Sequence, residues 1–174
     1  MATVLEQLRT MTTVVADSGN INSIAAYKPQ DSTTNPSLLA EAAKQSEYQS
    51  IVDDVLRTAR EKLDKDASKK EVAAQAFKTL AVAFGRKILE IVPGRVSTEI
   101  DAPLSYDREK TLAEARDVIS QYDQVGISRE RVLIKVASTW EGIKATEILE
   151  QEGIHCNLRF YSGYIRPSPA RRRR

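Results

Sequence analysis

Apolar positions recur along the chain with two different periods. At helical spacing, Leu38, Leu39, Ala42, Tyr48, Ile51, Val52, Val55, Leu56 and Ala59 fall on one face. This predicts a helix over 38–59, opened by Asn35-Pro36-Ser37. A second stripe, with Ala73, Ala76, Phe77, Leu80, Ala81, Phe84, Ile88 and Ile91, predicts a helix over 70–92 that Pro93-Gly94 stops. A third helix is predicted over 107–125, with Leu112, Ala115, Val118, Ile119 and Tyr122 inward and Gly126 as terminator. A fourth is predicted over 139–152, ending at Gly153. Short runs of strand character lie between these helices, at 13–17, 32–35, 96–100, 131–137 and 154–158. Strands that alternate with helices imply βαβ units and a parallel sheet.

Each strand-like run carries a polar residue at or near its C-terminal end: Asp17, Asn35, Glu99, Lys135 and Asn157. In open α/β sheets and in (β/α)₈ barrels, that end of the strand is where ligands bind. Periodicity alone does not separate the two folds. A complete barrel takes about 250 residues, so five strands in 174 residues would make an incomplete one. Residues 159–174 show neither a helical stripe nor strand alternation. The reading is one partial domain over 1–158, followed by an Arg-rich divergent tail over 159–174 that does not pack.

Composition narrows the function classes. Hydrophobic residues at 41% and charged residues at 29% are ordinary for a globular chain. The single cysteine, Cys156, excludes an internal disulfide framework. With one histidine besides, a structural Cys/His zinc site is excluded. The N-terminus has no basic segment followed by an apolar one, and no apolar run approaches the ~20 residues of a membrane span. A cytoplasmic location without membrane contact is the expectation. The net charge of +2 hides an asymmetry. Residues 158–174 hold six arginines and no lysine or acid, which leaves −4 on residues 1–157. A basic tail on an acidic body is a poor electrostatic footprint for nucleic acid, so that partner is not expected.

Lys135 carries the most chemical information. It interrupts the apolar run Val132 to Ala137, and in a strand it shares a face with Leu133 and Ala137. Desolvation there disfavours the ammonium. A neutral amine attacks carbonyl carbon to give a Schiff base. From composition alone, a structural ion pair with Asp17 or Glu99 is the simpler account of the same residue. Asp17 and Glu99 could move protons beside such a lysine, or could cap helices. Asn35 precedes a proline and reads as a turn residue as readily as a ligand. His155-Cys156 reads as strand packing. Ser138 or Thr139 is the expected N-cap of the helix after Lys135. Dinucleotide, P-loop and nucleophile-elbow motifs are absent.

Taken together, these segments resemble transaldolase. The resemblance rests on Asp31-Ser32-Thr33-Thr34-Asn35-Pro36-Ser37-Leu38, on Pro93 to Glu99, and on Ile134-Lys135-Val136-Ala137-Ser138-Thr139-Trp140-Glu141-Gly142-Ile143. The segment Thr13 to Gly19 is similar to the one bearing the family's acid–base aspartate. The match runs in register over residues 5–158 and is closest to the long-chain type. It implies a TIM (β/α)₈ barrel of the class I aldolase kind, incomplete here, with about the first half present. It implies a metal-free, cofactor-free transferase of the non-oxidative pentose phosphate pathway, which moves a dihydroxyacetone unit between sugar phosphates. Donors would be sedoheptulose 7-phosphate and fructose 6-phosphate; acceptors would be glyceraldehyde 3-phosphate and erythrose 4-phosphate. By this resemblance Lys135 forms the Schiff base, Asp17 is the proton-transferring base, and Glu99 works through a water. Asn35 and Asn157 hold the dihydroxyacetone hydroxyls. A complete chain would form a homodimer.

The resemblance stops abruptly. Arg159 stands where a water-positioning threonine would be expected, and the phosphate-binding residues belong to later segments. A shifted reading frame or mis-spliced transcript would produce such an ending. An incomplete barrel has open strand edges, so an exposed apolar patch, marginal stability and little or no turnover are expected. The competing reading is a non-catalytic chain whose Arg tail contacts RNA or acidic partners.

Overall fold

The computed structural model describes residues 2–64 and 66–159. Strands and helices alternate: α1 (Val4–Met11), β1 (Val15–Asp17), α2 (Ile21–Tyr27), β2 (Asp31–Thr33), α3 (Pro36–Ala42), α4 (Gln49–Glu61) and α5 (Lys69–Leu89). Then come β3 (Val96–Glu99), α6 (Arg108–Gln124), β4 (Val132–Ala137), α7 (Trp140–Gln151) and β5 (Cys156–Arg159). All five strands are parallel and lie side by side in chain order, β1-β2-β3-β4-β5. A doubly wound sheet reverses strand order at a switch point; this one does not. Sequential order, with a helix after each of the first four strands, is barrel topology. The fold is an α/β, incomplete TIM barrel, as the sequence led us to expect.

The register explains how the faces divide. Val96, Val132, Ile134 and Val136 are buried against helices, together with Leu112, Ala115, Val118, Ile119, Tyr122, Ala145 and Leu149. A second core lies among the helices, where Leu39, Val55, Ala59, Ala76, Leu80, Ala81 and Phe84 meet. Strands alternate by residue, so the opposite sheet face receives Thr33, Ser97, Glu99, Lys135 and Asn157. Leu133, Ala137 and Val15 share that face, which is otherwise polar. The apolar residues left exposed include Val15 there (49%), Leu158 on the helix side of β5 (41%), and Val4, Leu8 and Met11 along α1.

The sequence reading needs correction at the first helix. The segment 38–59 is two helices, separated by a short 3₁₀ turn at Ser46–Tyr48. Tyr48 is buried there, its hydroxyl accepting the Ile21 N–H at 3.1 Å and its ring meeting Phe84 edge-on at 5.2 Å. A continuous helix would have to leave this anchor. Two further helices, α1 and α2, are missing from the sequence reading. α1 was legible there: Val4, Leu8 and Met11 recur at helical spacing behind a Thr3–Glu6 capping box, although the helix buries none of them. α2 is short; Asn20 caps it, and Lys28 ends it with φ 46. The other helices close as expected. Gly126 and Gly153 take positive φ after α6 and α7, and Thr139 caps α7 by accepting the Gly142 N–H at 3.0 Å.

Below the sheet, Arg131 ties the end of α5 to the loop before β3. It donates to the carbonyls of Val92 (2.9 Å), Leu89 (3.3 Å) and Gly94. The segment 160–174, which holds most of the expected Arg-rich tail, lies outside the described residues. Among the described residues no helix is long and apolar enough to cross a membrane.

Candidate active site

Three strands build the site's centre. β4 is flanked on both sides, and its helix-facing residues are fully buried. Lys135 therefore faces the open side with little freedom, and it is itself only 7% exposed. Register sets Glu99 of β3 and Asn157 of β5 directly beside it. Lys135 Nζ lies 3.3 Å from Glu99 Oε2, and it donates to Thr33 Oγ1 and to the Thr34 carbonyl, each at 3.3 Å. Glu99 Oε2 is shielded from solvent and receives no well-directed hydrogen bond. Its compensation comes from the charge of the adjacent ammonium. The other oxygen, Oε1, accepts from Arg159 Nη1 at 2.6 Å.

Packing on the helix side fixes these positions. The Thr98 and Tyr122 hydroxyls share a buried hydrogen bond at 2.7 Å. This pins the outward residue of β3 and leaves Glu99 facing the other way. Burial pushes the Tyr122 hydroxyl well above the usual phenol range, so it stays a neutral donor and acceptor. Beyond the end of β2, Thr34 continues the pairing with β3 through its N–H to the Ser97 carbonyl at 3.1 Å and its hydroxyl at 3.2 Å. That holds the Thr34 carbonyl against Lys135.

The remaining candidates divide. Asn157 points into the same face, its amide donating to Ser97 Oγ at 3.1 Å. Asn35 caps α3, its Oδ1 accepting the Leu38 N–H at 2.9 Å. The cap commits the oxygen and leaves the amide N–H₂ without a partner among the described residues. Asp17 ends β1, the edge strand. Its side chain is exposed and makes no hydrogen bond or ion pair among the described residues. The structure thus joins Lys135, Glu99 and Asn157, while Asp17, on the edge strand, is not bonded to them.

Sequence reasoning missed Thr33, Ser97 and Arg159 as members of this cluster. Thr33 and Ser97 each precede a named candidate by two residues, the strand period, so alternation was the available signal. Arg159 was assigned to a non-packing tail; the structure sets it in β5, paired with Ala137. His155 also departs from the packing role, lying between Glu150 (3.0 Å) and Glu130 (3.5 Å) near the surface. Among the described residues no three His, Cys, Asp or Glu side chains converge as a metal site would require.

An in-order parallel sheet with a buried lysine and carboxylate at its strand ends defines an incomplete TIM-barrel chain of enzyme type. Comparison with known proteins makes this specific: the sequence model of the transaldolase/fructose-6-phosphate aldolase family matches residues 14–158, and the chain belongs to that family. It is similar to a transaldolase from Nostoc punctiforme, 60% identical over 159 residues, which covers 91% of this chain and 48% of that protein. It is also similar to transaldolases from Gloeobacter violaceus, at 62% identity over 91% of this chain and 41% of that protein, and from Methylococcus capsulatus, at 58% over 91% and 48%. The chain spans somewhat less than half the length of these relatives.

Proposed function

We propose that this chain carries the nucleophile of a transaldolase-type reaction, with Lys135 as the Schiff-base residue. The observation behind this reading is the lysine itself: buried in a central strand, at the strand's C-terminal end, beside one carboxylate. The Lys135 amine adds to the ketone carbon of a ketose phosphate, such as fructose 6-phosphate or sedoheptulose 7-phosphate. Loss of water gives the iminium, and Glu99, through a water, supplies and removes the protons of that step. Asp17 takes the C4 hydroxyl proton as the C3–C4 bond breaks, and the bonding electrons pass into the iminium. The dihydroxyacetone unit then adds to an aldose phosphate, glyceraldehyde 3-phosphate or erythrose 4-phosphate, and hydrolysis frees the lysine. Asn35 has an unengaged amide N–H₂ for a donor hydroxyl, and Asn157 an Oδ1. The reaction belongs to the non-oxidative pentose phosphate pathway.

For the 174-residue chain by itself we expect little or no turnover, because Asp17 stands exposed at the sheet edge rather than in a closed site. The test is a borohydride trap with fructose 6-phosphate, mapped by mass spectrometry. An adduct on Lys135, lost in Lys135→Ala, supports the reading. An intact, folded chain that gives no adduct rejects it.

A further inference from the structure

Arg159 faces the nucleophile from the next strand. Its guanidinium takes Glu99 Oε1 at 2.6 Å, and the same carboxylate's Oε2 lies 3.3 Å from Lys135 Nζ. The carboxylate of Glu99 on β3 is thus shared between two cations, Lys135 of β4 and Arg159 of β5. The Glu99 side chain is 10% exposed and that of Lys135 is 9%, while Arg159 is 43% exposed. Two of the three are thus shielded, and water screens their mutual fields weakly.

We propose that Arg159 is a positioning residue for Lys135: it holds Glu99 by one oxygen and offsets its charge, so that the lysine is not locked as the ion-paired ammonium. The inference rests on the Schiff-base reading above. A lone carboxylate beside Lys135 would favour the charged, non-nucleophilic form. With a permanent guanidinium on its other oxygen, the charge that the carboxylate presents to the lysine is offset. The hydrogen bond also fixes the carboxylate, keeping Oε2 aimed at Nζ.

The other groups around the lysine bear out the dominance of this pair. β2 presents only the Thr33 hydroxyl and the Thr34 carbonyl, both uncharged. Asn157 of β5 is neutral, and Asp17 of β1 makes no ion pair with the lysine. On the helix side of Glu99, a cleft holds Asp101 and the Lys78–Glu114 pair, the latter mutually engaged at 2.5 Å. Among the described residues Glu99 is the charged group paired with Nζ, and Arg159 is the charged group on its other oxygen.

The experiment uses the full chain and a small ketone, dihydroxyacetone, which requires no phosphate site. Borohydride-trapped adduct on Lys135 is quantified by mass spectrometry against pH for the parent chain, Arg159→Gln and Arg159→Lys. Glutamine keeps a hydrogen-bond donor at this position and removes the charge; lysine keeps the charge. In Arg159→Gln the pH of half-maximal trapping should rise by about one unit, so that below it roughly tenfold less adduct forms at a given pH. Arg159→Lys should trap with the parent profile. An unmoved or lowered profile in Arg159→Gln overturns the inference and leaves the Schiff-base reading standing. Equal displacement in the glutamine and lysine variants overturns it too, because the effect would then follow shape rather than charge. No adduct on Lys135 in any chain at any pH overturns both.

Discussion

The two faces of the same five strands do different work. On the helix side, Val96, Thr98, Val132, Ile134 and Val136 are sealed against α5, α6 and α7. On the open side, one residue away along each strand, stand Ser97, Glu99, Lys135, Asn157 and Arg159. The comparison teaches that stability and chemistry are separated by the two-residue strand period and by nothing larger. A register slip of one residue would put Lys135 into the apolar core and Ile134 into the site. A second contrast runs along the open face. Lys135, on a strand flanked from both sides, is buried and engaged, whereas Asp17, on the edge strand β1, is exposed.

These contrasts can be broken in order of size. Cys156 reports on the packed side of β5. Burial, followed by the nearby Glu150 carboxylate, pushes its thiol up to about 12. The thiolate is the reactive form, and an ordinary thiol ionises near pH 8.5. At pH 8 the folded chain should therefore react with iodoacetamide about a thousandfold more slowly than the urea-unfolded chain. The rate should climb with pH up to about 12. Equal rates for folded and unfolded chain at pH 8 would show that this face is open.

Phe84 has no exposed surface and packs edge-on against Tyr48. Phe84→Ala should cost about 3–5 kcal/mol in urea denaturation, from lost burial and the cavity left behind. Tyr122→Phe should cost about 1–3 kcal/mol, because it leaves the buried Thr98 hydroxyl without its partner.

The open face should answer differently. Lys135→Met should abolish the trapped adduct and cost about 1–3 kcal/mol, because the buried Glu99 Oε2 loses its compensating charge while Oε1 keeps Arg159. A loss as large as that of Phe84→Ala would mean that the lysine is chiefly structural and would collapse the contrast between the faces. Asp17→Asn should shift the urea midpoint least, within about 0.5 kcal/mol, because the side chain is exposed and unpaired among the described residues.

The sequence by itself determined the alternation of strand and helix, the termini of the later helices, and a polar residue at or near the end of each strand. These are local properties. Side-chain period, N-caps such as Thr139, and glycines at positive φ such as Gly126 and Gly153 act over a few residues and are written in the chain directly. The anomaly of Lys135 within an apolar strand was legible for the same reason. Only the tertiary structure decided the in-order sheet, the break at Tyr48, the membership of Thr33, Ser97 and Arg159 in the site, and the isolation of Asp17. Each depends on partners far away in the chain. Lys135 meets Thr33 across 102 residues, and Arg159 meets Glu99 across 60. No local pattern encodes which strand will lie alongside, and a side chain's burial and charge environment follow from that neighbour.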